Sequence, residues 1–144
     1  MTGQSKHFWA GMKAEIPLLI GVFPFGLIYG AVALNAGLTP AAAQAMSSIV
    51  FAGSSQFIAA QLLQESTPGF VIVLTIAVVN LRHMLYSASL APYVAGLPTR
   101  WKVLLSYLLT DEAYAPTILR YERKGVTPHA HWFWLGAGLA LWVT

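Results

Sequence analysis

The sequence predicts an all-α fold, a polytopic membrane helical bundle whose transmembrane helices are kinked or broken. Three observations lead there. Hydrophobic residues make up 57% of the 144 and charged residues only 9%, where a soluble domain carries roughly 25% charge to coat its surface. The 49 residues from Ile16 to Gln64 contain no Asp, Glu, Lys, Arg or His, enough to cross a bilayer twice at about 20 residues per crossing. Further apolar runs follow, and the charges that interrupt them would be costly at bilayer depth.

Composition also excludes classes. Cysteine is absent, which removes disulfides, thiolate metal sites and cysteine nucleophiles. The net charge is only +3 and no basic run interleaves with aromatics, so nucleic acid is not a partner. The excess base belongs in loops beside anionic membrane lipid. Lys6 and Lys13 before an apolar run, with Ala31-Val32-Ala33 behind it, imitate a signal peptide. Pro17 and Pro24 inside the run and the apolar segments after it make this the first membrane helix instead.

The whole chain, 1–144, reads as a single membrane domain, taken element by element as follows. Segment one covers about 16–37. It carries two prolines expected to bend or break it and a small-residue ladder, Gly26, Gly30, Ala33 and Gly37, suited to close helix approach. Asn35 to Pro40 supplies turn residues, and Thr39-Pro40 a helix start. Segment two covers about 40–63. Its Gln44, Ser47, Ser48, Ser54, Ser55 and Gln61 fall on one helical arc of about 140°, with Gln56 off it. Gly53-Ser54-Ser55 is a place where this helix can unwind. Segment three, about 69–97, would reach about 45 Å as one helix, longer than the roughly 30 Å apolar core; a break is expected near 80–83. Segment four covers about 101–118, with Thr110-Asp111-Glu112 in mid-run. A further helix starts near Trp132 and stops at Thr144, too short to span, which reads as C-terminal truncation. Trp9, Trp101, Trp132 and Trp134 lie near segment ends, as interfacial aromatics do. Counting Lys and Arg over five crossings places the N-terminus in the cytoplasm; with segment three as a re-entrant hairpin the tally becomes four against three and sets no orientation.

The residues that can carry chemistry are few. Arg82, His83 and the pair Asp111-Glu112 sit deep in apolar sequence, where charges are usually paired. Arg82 with Asp111 or Glu112 is the natural ion pair. It can serve helix register alone, or it can form part of a site for a zwitterion, whose carboxylate needs a cation or a helix N-terminus. His83 titrates near neutral pH if unperturbed, which allows a proton relay. If segments three and four are each two short pieces, the same charges simply lie at a surface. Ser47, Ser54 and Ser55, joined by Gln56 if the helix unwinds, would line a path, with Asn80 and Tyr86 of segment three; Phe51, Phe57 and Ile58 would offer an apolar pocket. The polar stripe can equally be interhelical hydrogen bonding. Gly53-Ser54-Ser55-Gln56 also fits a loose G-x-S-x pattern of an intramembrane serine hydrolase, with Ser55 as nucleophile and His83 as base, and a non-transporting structural membrane subunit is a further alternative. His129 and His131 lack a carboxylate partner at ligand spacing, so no metal is expected, and no cofactor motif is visible.

Four stretches together resemble the AzlC family, the large subunit of bacterial branched-chain amino acid exporters. They are Pro24–Ala31 (PFGLIYGA), Met46–Phe57 (MSSIVFAGSSQF), Asn80–Ser87 with Leu90-Ala91-Pro92, and Leu109–Ala115 (LTDEAYA). The resemblance covers nearly the whole chain, in order. It implies a multi-pass protein of the bacterial cytoplasmic membrane that exports valine, leucine, isoleucine or related small amino acids. It further implies proton coupling and a small membrane partner similar to the AzlD subunit. Members of that family are longer, with further membrane helices beyond this point.

Overall fold

The computed structural model describes residues 3–144, all of whose regular structure is helical. Seven helices follow in order among them: α1 (Gly3–Asn35), α2 (Pro40–Val50), α3 (Gly53–Gln64), α4 (Gly69–Val94), α5 (Thr99–Tyr107), α6 (Asp111–Lys124) and α7 (His131–Trp142). Of these, only α1 and α4 are long and apolar enough to cross a membrane as single helices. At 1.5 Å per residue, the 33 residues of α1 run about 50 Å and the 26 of α4 about 39 Å. The chain divides into two compact units. One gathers residues up to Ile20 with His83–Thr144, the other Gly21–Arg82.

In the Gly21–Arg82 unit, α2 begins at the Thr39-Pro40 signal. The Thr39 hydroxyl accepts from the Ala42 N–H at 3.2 Å, and Pro40 takes the first helical position, where its missing N–H costs nothing. Phe51 then turns left-handed, φ 47° and ψ 43°, and Ala52 is extended, so the second apolar segment is two half-helices. Gly53, the first residue of α3, lies under the Phe25 ring, whose Cε1 would stand 2.8 Å from an added Cβ. A small core of Tyr29, Ala33, Ala43 and Ala60 holds the half-helices to α1, tied by the Tyr29 hydroxyl donating to the Ala43 carbonyl at 3.2 Å.

The other unit is built around α7. Its residues Phe133–Gly138, Ala140 and Leu141 are all buried, as suits a helix apolar on every face. An added Cβ at Gly11 would stand 2.0 Å from the Phe133 carbonyl oxygen, and one at Gly136 2.1 Å from that of Phe8. α1 and α7 therefore cross backbone against backbone, possible only with glycine on both sides. α6 packs on α7 as well, with the Arg120 guanidinium 4.8 Å above the Phe133 ring. Two tyrosine stacks join α4 to α6: Tyr86 on Tyr114 at 4.3 Å and Tyr93 on Tyr121 at 4.7 Å. Each partner advances seven residues between the stacks, so these helices run parallel.

Four expectations are corrected. The break near 80–83 is absent: α4 is one helix from Gly69 to Val94. Asn80 and Arg82 find side-chain partners in Ser55 and Ser54, so the backbone has no need to unwind for them. Pro17 and Pro24 do not interrupt α1. The Gly26 and Gly30 faces are open, an added Cβ meeting nothing within 4 Å; the tight glycine crossing is the one between Gly11 and Gly136. Segment four, in turn, is two helices parted at 108–110, because Thr110 caps α6, accepting from the Ala113 N–H at 3.2 Å.

Candidate functional site

The half-helix junction brings six of the named polar residues together within the Gly21–Arg82 unit. Ser55 is fully buried and its hydroxyl donates to the Asn80 Oδ1 at 2.6 Å. Gln56 is buried, and its amide donates to the Ser47 hydroxyl at 2.8 Å. The Arg82 guanidinium donates to the Ser54 hydroxyl. The Gln56–Ser47 bond depends on the break at Phe51-Ala52. A continuous helix would turn Gln56 away from the Ser47 face, and the left-handed residue swings it back.

The electrostatics of this junction favour an anion. α3 starts without a side-chain cap, since Ala52 has none to offer. The first N–H groups of a helix have no intrahelical partner, and the aligned peptide dipoles place about half a positive charge there. Arg82 contributes a full charge to the same end through its bond to Ser54. Backbone donors plus a fork-shaped cation are the natural receptor for a carboxylate.

The other predicted site residues belong to the second unit. His83 meets Tyr86 edge to face, ring centroids 5.9 Å apart, and Tyr86 is occupied in its stack on Tyr114. Asp111 and Glu112 form the first turn of α6, and Arg123 and Lys124 the last. Acid at the start and base at the end suit the helix dipole, worth about 0.3–1 kcal/mol each. Phe57 lies tilted against Phe25, ring centroids 5.8 Å apart, and packs against the Tyr29 core, so it supports the fold rather than an open pocket. Gln44 and Gln61, at the ends of the polar stripe, are exposed. A crevice of about 250 Å³ lies between α4, α5 and α7, lined by residues such as Leu90, Val94, Leu105 and Trp134, and includes none of the predicted site residues.

Sequence reasoning misses one residue. Glu15 on α1 is completely buried and neither carboxyl oxygen has a hydrogen-bond partner. The signal is present: Glu15 is the last charge before the 49-residue uncharged run, and it lies one turn beyond Gly11 on the same helix face.

The Ser55–Asn80 bond gives a direct test. Ser55→Ala leaves the Asn80 oxygen without its donor, at a cost of about 1–3 kcal/mol. A melting temperature lowered by several degrees, measured on purified protein in detergent, is the expected result.

Comparison with known proteins places the chain. It is 27% identical over 139 residues to "Inner membrane protein YgaZ" of Escherichia coli (strain K12), covering 96% of this chain and 56% of that protein. It is 28% identical over 144 residues to an "Uncharacterized membrane protein" of Archaeoglobus fulgidus, covering 97% and 63%. It is 30% identical over 115 residues to "Branched-chain amino acid transport protein AzlC" of Bacillus subtilis (strain 168), covering 76% and 44%. The chain thus spans about half the length of the curated relatives it matches. No solved structure matches it. The family model described as "AzlC protein" matches residues 17–144, which include both half-helices and the Ser54–Arg82 and Ser55–Asn80 pairs, and the chain belongs to the AzlC protein family.

Proposed function

We propose that this chain is part of a multi-pass exporter of branched-chain or related small amino acids in the bacterial cytoplasmic membrane. It works with a small AzlD-like membrane subunit, and the downhill movement of protons drives it. The single observation that carries this reading is the uncapped start of α3 beside Arg82. Broken helices whose half-helix N-termini meet anionic substrate groups are a recurring transporter device. The substrate carboxylate docks on the α3 N–H groups and Arg82, with Ser47, Ser54, Ser55, Gln56, Asn80 and Tyr86 along the path. His83, Asp111 and Glu112 handle the proton. The printed name of the Bacillus subtilis relative supports the substrate class.

The serine-hydrolase alternative has less support. A nucleophilic serine gives its proton to a base, whereas the Ser55 proton is held by an amide oxygen.

The test is efflux of labelled valine from cells preloaded with a valine-containing dipeptide. Cells carrying the chain together with a small partner are expected to lose label faster than cells carrying neither. Equal rates, with the protein present in the membrane, reject the exporter reading. Hydrolysis that Ser55→Ala abolishes would establish the alternative.

A further inference from the structure

We propose that Glu15 is a proton-binding residue of this protein: its enclosed carboxyl takes up one proton and releases it when the packing of α1 against α6 and α7 opens. The inference rests on the proton-coupled reading above and deepens it by adding a carrier that reading did not include.

The geometry is unusual for a carboxyl. Glu15 is 0% exposed, and both its oxygens are buried without a hydrogen-bond partner. An ionised carboxylate in that state is so costly that it must gain a proton or a counter-ion. Among the described residues, the helices packed around it supply no counter-ion. On α6, the first-turn Glu112 is itself an acid and offers no counter-charge. Arg120, also on α6, is held by His7 and the Phe133 ring. On α7, His131 packs on Trp101 and feels His129 and His7. On α1 itself, Lys6 and Lys13 point outward and are exposed.

A metal cation does not fit this inventory. Calcium-like ions take roughly six to eight oxygens, and one carboxyl falls well short. A proton needs one oxygen. The step is simple acid–base chemistry, carboxylate plus proton giving carboxylic acid, and no other reactant is required.

The location allows exchange. The α1–α7 crossing at Gly11 and Gly136, where the nearest contacts are with backbone atoms, lies one turn from Glu15. Separation of α1 from α7 at this crossing is the motion that would admit water to the carboxyl.

The experiment is infrared difference spectroscopy of the 144-residue chain in lipid bilayers across a pH series. The wild type is expected to show the carbonyl stretch of a protonated carboxylic acid, slow to exchange in heavy water, and Glu15→Gln is expected to lose that band. Should Glu15→Gln fail to fold, Glu15→Asp keeps a carboxyl and is expected to shift the band. A band unchanged in either variant overturns the proposal. In the valine efflux assay, Glu15→Gln is also expected to lose the acceleration produced by an imposed pH gradient. An unaltered response to the gradient overturns the coupling role. If the band depends on Glu15 while valine efflux stays at the background rate with and without the small partner, the proton site stands and the exporter reading falls.

Discussion

Arg82→Ala is expected to lower the rate of valine efflux about 10- to 100-fold at low substrate concentration. The guanidinium is the full positive charge at the α3 N-terminus, bonded to Ser54. Hydrogen bonds to charged groups contribute about 1.5–3 kcal/mol, and each 1.4 kcal/mol is a factor of about ten. Arg82→Lys keeps the charge but not the planar fork, so it should recover only part of the loss. The double variant Arg82→Ala with Asp111→Ala separates two roles. If the arginine serves substrate, removing an acid as well restores nothing. If it serves only to balance that acid, the double variant recovers much of what the single one lost. Rates would be normalised to the protein present in the membrane, so that a folding defect is not counted as a transport defect.

Gly136→Ala and Gly11→Ala are expected to abolish assembly of the unit built on α7. An added methyl at Gly136 meets Phe8 backbone at 2.1 and 2.9 Å and the Met12 nitrogen at 3.2 Å; at Gly11 it meets Phe133 backbone and the Ala137 nitrogen at 2.0–2.9 Å. These are backbone atoms, which cannot rotate aside. The helices must separate by more than about 1 Å to regain ordinary contact distance, and α7 is the most deeply packed helix of its unit. Overpacking usually costs about 1–3 kcal/mol where side chains can yield. With backbone on both sides the cost exceeds that, against a typical total stability of about 5–15 kcal/mol. Gly26→Ala and Gly30→Ala are the controls. Their added methyls meet nothing within 4 Å, and alanine gains about 0.5–1 kcal/mol over glycine inside a helix. Monodisperse yield on size-exclusion chromatography and the melting temperature should fall for the first pair and hold or rise for the second. Equal behaviour of both pairs would contradict a backbone-to-backbone crossing of α1 and α7.

Much of the local structure is legible in residue types. Thr39-Pro40 marks the start of α2 because a hydroxyl cap and a proline are favourable only there. Gly53-Ser54-Ser55 reads as a place to unwind, and the break falls just before it. Thr110-Asp111-Glu112 holds an equally local signal, a capping threonine followed by two first-turn acids, but its position within an apolar run suggests one long helix where there are two. The expected break at Asn80–His83 shows the opposite error. Polar residues in a greasy segment indicate that partners are needed, not that the backbone must open, and Ser54 and Ser55 supply those partners from α3 across 28 and 25 positions of sequence.

The amino-acid sequence by itself determined the helical class, the apolar segments and the family, because these follow from composition, period and short motifs carried along the chain. The tertiary structure alone decided which glycines bear a crossing, which polar side chains satisfy one another, and that Glu15 is sealed away without a hydrogen-bond partner. Gly26 and Gly136 look alike in sequence, as do Glu15 and any other lone carboxylate. Their difference lies in what residues about a hundred positions away or more bring against them, and no local pattern encodes that distance.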